Sequence, residues 1–163
     1  QKKIAIILFL TTIALVLGSC SINARIKKAD KKYFITTEIG YMEMGKDIKI
    51  AFAPGEICTD LIYGGNALTA EGSVSNKDYE GKTLVEIFGD DVIVFGLAND
   101  ELGYVLPPND FMLNDDTPYL DKAIDRFGRR HYEETNSMGP GTAEIIAENF
   151  RILMNKVNTA KSD

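Results

Sequence analysis

The chain has 163 residues and is short of the side chains that most often perform chemistry, with one histidine and two cysteines. A single histidine, His131, excludes a metal site of the two- or three-histidine kind built from this chain alone. It also leaves no Ser-His-Asp arrangement that spacing defines. Basic residues are outnumbered, 18 Lys and Arg against 24 Asp and Glu, and the net charge is −6. Beyond the extreme N-terminus the lysines gather in one short stretch, Lys27-Lys28 and Lys31-Lys32, and with the acidic balance this argues against a nucleic-acid partner. Long apolar runs are equally scarce. The one present, Ile4 to Leu17, is broken only by Thr11 and Thr12 and is shorter than the about 20 residues a bilayer-spanning helix needs.

That run follows Lys2 and Lys3 and ends in Gly18-Ser19, the charged, apolar and small-residue order of a secretory signal. A permanent transmembrane anchor is the alternative. Leu17-Gly18-Ser19-Cys20 also has the order of a bacterial lipobox, in which an aliphatic and two small residues precede a cysteine that takes a diacylglyceryl group. The sequence thus predicts export and membrane lipid anchoring through Cys20 in a bacterial envelope, the acyl chains making the attachment stable. Cys58 is then the one remaining thiol, which excludes an intrachain disulfide. Its apolar neighbours Ile57, Leu61 and Ile62 suggest a small buried hydrophobe.

The expected organisation is a signal over 1–19, a tether over 20–32, a domain over 33–158 and a tail over 159–163. Residues Tyr33 to Ile39 are β-branched and aromatic and read as a strand. Ile48, Ile50 and Phe52 alternate with Lys49 and Ala51, giving a strand with one buried face that stops at Pro54-Gly55. Residues 64–81, rich in Gly, Asn and Ser, read as a long surface loop. The continuous apolar run Val92 to Phe95 reads as a central strand covered on both faces. Ala143, Ile146, Ala147, Phe150, Leu153, Met154 and Val157 recur at helical steps and predict an amphipathic helix with a core-facing stripe. The fold class expected is α/β, a layered mixed sheet with packed helices.

Candidate chemistry lies where strands end. Glu56 follows Pro54-Gly55 just beyond a strand, facing whatever sits above the sheet, or else serves as a turn carboxylate capping Ile57-Cys58-Thr59. Gly96-Leu97-Ala98-Asn99 breaks the next strand with small residues that permit close backbone approach. Tyr104 returns beside it and, taken alone, reads as a core aromatic. His131, within Arg129-Arg130-His131-Tyr132-Glu133-Glu134, reads as an ordinary surface or hydrogen-bonded histidine.

Taken together, Pro54-Gly55-Glu56, Gly96-Leu97-Ala98-Asn99 with Gly103-Tyr104-Val105, and Tyr132-Glu133 with Gly139-Pro140 say more. From about Asp47 to Val157 the chain resembles the C-terminal part of the catalytic domain of the neutral/alkaline, non-lysosomal ceramidase family. The resemblance implies a zinc-dependent hydrolase that splits the amide of an N-acylsphingosine into a sphingoid base and a fatty acid. It implies Glu56 and Tyr104 as zinc ligands, with Asn99 and Glu101 in the substrate pocket. Glu101 stands where family members often carry a second tyrosine, and the span from Tyr132-Glu133 to Gly139-Pro140 is a residue shorter than usual. The family's two histidine ligands and its serine lie in an upstream segment for which this chain has no counterpart. The resemblance therefore implies a partial domain behind the signal or anchor helix, weakly active or inactive alone, with a half-complete zinc site. Self-association or a complementing chain would cover an edge or apolar face. The other reading is a non-catalytic membrane-anchored lipoprotein that binds a lipid or a partner protein.

Overall fold

The computed structural model describes residues 35–113 and 124–162, which form a mixed α/β arrangement of two small sheets and packed helices. The expected signal over 1–19, Cys20 and the expected tether lie outside the described residues, as do Tyr33 and Phe34. Among the described residues, no helix is long and apolar enough to cross a membrane.

Strands β1 (Gly40–Met44) and β2 (Ile48–Phe52) form an antiparallel hairpin in which Gly40 faces Phe52 and Met44 faces Ile48. Residues 35–39 carry no strand, contrary to the expectation for Tyr33 to Ile39. The reason lies across the ladder. Beyond Phe52, the Ala53 amide is already given to the Phe95 carbonyl, and Pro54 has no amide hydrogen to offer. Strand β4 (Val92–Phe95) runs parallel to β2, so the sheet order is β1-β2-β4 with β2 in the centre.

Paired residues on neighbouring strands share a face. On one face Tyr41, Ala51 and Val92 are buried under helices α2 (Leu84–Phe88) and α4 (Thr142–Ser162). Tyr41 stacks on Phe88, and Phe88 meets the ring of Phe150 edge-on at 5.0 Å. Helix α4 buries Ala143, Ile146, Phe150 and Leu153, the stripe that its periodicity predicts. The opposite face carries Met44, Ile48, Ile93 and Phe95, all roughly half exposed. Hence β4 is an edge strand among the described residues, open on one face, and not the doubly covered central strand its apolar run suggests. An unbroken apolar run records that both faces are apolar; it does not record that both are covered.

Segment 64–81 also departs from a plain surface loop. Ser73 is fully buried and its hydroxyl donates to the Lys77 carbonyl. The Val74 amide donates to Asp110, and the Arg126 guanidinium donates to the carbonyls of Ala70, Glu71 and Ser73. Its polar groups are satisfied by distant partners, which periodicity does not register.

Candidate functional site

After three residues beyond β2 the chain forms β3 (Glu56–Ile57), which pairs in parallel with β5 (Tyr104–Val105) as a second sheet. Glu56 therefore opens a strand of its own and is not simply a residue past a strand end. Its register partner is Tyr104. The pairing is built by backbone bonds: Glu56 N donates to Gly103 O at 2.9 Å and Cys58 N to Val105 O at 3.0 Å. Gly96 comes in above, since Leu97 N donates to Gly55 O and Ala98 N to Ala53 O. On the far side Tyr104 N donates to Asn136 O, and Tyr104 bridges to Ser137. The three sequence stretches that suggested chemistry thus meet at one place.

Two glycines make this convergence possible. A Cβ on Gly55 would stand 2.7 Å from Gly103 O. Gly103 has φ +77°, and a Cβ there would stand 1.8 Å from Asn136 O. Gly103→Ala is therefore expected to cost about 1–2 kcal/mol from the left-handed conformation alone and to push Tyr104 away from Asn136. A thermal melt of the variant, with the Tyr104 environment followed by tyrosine NMR, checks both effects; an unchanged melt and spectrum would refute them.

The side chains of Glu56 and Tyr104 line a cavity of about 370 Å³. Ile57, Cys58 and Leu106 give it an apolar part, while Arg130, His131 and Glu133 form a polar wall. Tyr132 lies edge-on to Tyr104, ring centres 6.0 Å apart. The Tyr104 phenol is pushed above its ordinary pKa, chiefly by the negative charge of Glu56, with burial, Tyr132 and Glu133 adding to it. Burial likewise raises the Cys58 thiol. Cys58 is only partly buried, packs against the core and precedes helix α1 (Thr59–Tyr63), so its role is broadly the small hydrophobe expected.

The wall behind the cavity is held by a buried polar cluster. Glu134, in helix α3 (Tyr132–Thr135), accepts the amides of Met112 and Leu113 at 2.8 Å and contacts His131 Nδ1. His131 Nε2 lies 3.2 Å from Asp125 Oδ2 without a hydrogen-bond partner of its own. Asp125 also accepts the amides of Phe127 and Arg129 and the Arg129 Nε, and Arg129 reaches on to Asp110. Burial pushes the Asp125 carboxyl up, but the bonds from Arg129 and Phe127, with the His131 ring close by, outweigh it and hold the group down at about 2. His131 is thus a buried, bonded histidine, the second of the two roles its sequence context allowed.

Sequence reasoning did not single out Arg130, Asp110, Asp125 or Glu134. The signal available was the three-residue step from His131 to Glu134, which turns both into the protein while Tyr132 and Glu133 face out. Asn99 and Glu101, assigned to the substrate pocket, are exposed and do not line the cavity. Asn99 instead sits in a left-handed conformation, φ +74°, within the turn that carries the chain away from β4. Cys20 lies outside the described residues.

Among the described residues, no group of three His, Cys, Asp or Glu side chains is placed to hold a metal. Glu56 and Tyr104 nevertheless suit part of such a site. A carboxylate and a phenol are oxygen donors, and their mutual repulsion as anions is the interaction that a divalent cation between them would reverse. Comparison with protein-family models, curated proteins and solved structures finds no match to this chain.

Proposed function

We propose that the chain is part of a ceramidase-like, zinc-dependent amide hydrolase, with Glu56 and Tyr104 as two of the metal ligands. The supporting observation is their register pairing across β3 and β5 over one cavity. The two side chains come from segments far apart in sequence, and nothing in strand propensity requires them to be opposite. Zinc, when bound, would polarise the amide carbonyl and activate water. The chain's own residues do the preparation: Glu56 supplies fixed negative charge, and Tyr104 keeps its proton until a cation arrives. The remaining ligands and the nucleophile come from outside the described residues, so the chain alone is weakly active or inactive. Its place is the bacterial envelope, exported and lipid-anchored through Cys20, where an N-acyl lipid such as a sphingolipid is at hand. Self-association or a complementing chain covers the bare sheet face.

That same bare face favours a second reading, a non-catalytic lipoprotein that binds a lipid or a partner protein. Zinc separates the two. Titration of the full chain against a chromophoric chelator is expected to show one weak, exchangeable zinc per chain. Glu56→Ala should weaken it by at least about tenfold, since even groups that merely orient a ligand contribute about that much. At a fixed alkaline pH, adding zinc should raise tyrosinate absorbance in the wild type and not in Tyr104→Phe. Zinc binding that is absent, or indifferent to Glu56, would leave the lipoprotein reading standing.

A further inference from the structure

The charges around the cavity are unevenly spent. Arg129 is fully engaged, its Nε on Asp125 at 2.6 Å and a terminal nitrogen on Asp110 at 2.9 Å. Arg130 lines the same cavity and has no ion pair among the described residues. Its backbone is anchored, because it bridges to Ile124 across the turn that Asp125 organises. A guanidinium at a cavity wall with its donors unspent is suited to a planar anion, which it grips with two parallel bonds. Ile57 and Leu106 line the same cavity and offer an apolar surface to a hydrocarbon chain.

We infer that the cavity takes an acyl amide bearing a carboxylate, an N-acyl amino acid, with Arg130 as the residue that recognises the carboxylate. The inference rests on the amide-hydrolase reading above and sharpens its substrate class, because a neutral N-acylsphingosine offers Arg130 no charge to pair with. Glu56 and Glu133 would oppose an anion in the same space, and a cation on Glu56 removes part of that opposition. Arg130 is then a specificity-determining group, distinct from the residues that would hold the metal.

The test compares two probes of equal length, N-octanoylglycine and its neutral amide N-octanoylglycinamide, by calorimetric titration of the full chain with and without zinc. The carboxylate is expected to bind about tenfold more tightly, the worth of one charge-assisted hydrogen-bond pair. Arg130→Gln should abolish that preference while leaving the neutral amide's affinity unchanged, and Arg130→Lys should restore part of it. Arg130 is exposed, so these variants are expected to melt with the wild type. Equal binding of both probes, binding of neither, or an Arg130→Gln variant that keeps the preference would overturn the inference. Zinc affinity measured on the same samples tells the failures apart: intact zinc binding that depends on Glu56, without carboxylate preference, removes this inference and leaves the metal reading in place.

Discussion

Glu134→Ala is expected to lower the unfolding midpoint by about 15 °C. The Glu134 side chain is only 1% exposed, and it is the acceptor for two backbone amides and the partner of His131 Nδ1. Its removal leaves those donors buried and without an acceptor. Each such donor costs about 1–3 kcal/mol when left buried and unpaired. Because the terms overlap, a total of about 4 kcal/mol is the sensible expectation, and a domain of this size loses a few degrees per kcal/mol. Glu134→Gln retains an acceptor oxygen and should lose roughly half as much. A melt of Glu134→Ala within a few degrees of the wild type would show that the cluster does not hold residues 110–113 against the cavity wall.

The same cluster sets an acid limit. The folded Asp125 carboxyl titrates at about 2, below the ordinary unfolded value of about 3.9. A depressed carboxyl contributes stability in full above its unfolded pKa and loses it as pH falls through the folded one. Asp125 therefore predicts a decline in stability from about pH 4 towards pH 2, and Asp125→Asn should flatten that decline while lowering stability at neutral pH. Urea melts at a series of pH values measure both.

Phe150→Ala is the second large effect, with an expected loss of about 3–5 kcal/mol. Phe150 is completely buried, and its ring closes the row that runs through Phe88 to Tyr41 and so joins α4, α2 and β1. Truncation opens a cavity beside Phe88, the ring through which the three elements are joined. The near-ultraviolet signal of Tyr41 should weaken in parallel, since its stacking partner Phe88 loses its support. Phe150→Leu, which keeps most of the volume, should cost about 1–2 kcal/mol. If alanine costs no more than leucine, the three-ring row is not the centre of the core.

Helix α4 was readable because its apolar residues repeat at a helical period and its burial follows the same stripe. Strand β2 was readable up to Phe52, where Pro54-Gly55 ends it, but its buried face was not. Ala51 faces the helices and is fully buried, while Ile48 stands exposed on the opposite face, because small Ala51 packs under the helices where alternation points to the larger Ile48, Ile50 and Phe52. Strand β1 was placed too early, since propensity at Ile35 to Ile39 says nothing about whether a partner strand has amides to give. Glu56 and Tyr104 were both singled out, yet their direct opposition is a matter of register, fixed by the bonds of Gly103 and Val105. Asp125, His131 and Glu134 were not read as a cluster. Charged residues in a polar stretch look solvated unless their partners, here the amides of residues 112 and 113, are already known.

A second copy seated on the apolar outer face formed by Met44, Ile48, Ile93 and Phe95 would make folding and association one linked equilibrium. It would bind the folded chain and not the unfolded one, and so add its own binding free energy to the melting midpoint by mass action. A midpoint that rises with protein concentration therefore measures occupancy of the sheet as well as the core beneath it. The comparisons of Glu134, Asp125 and Phe150 variants have meaning only at one fixed dilution.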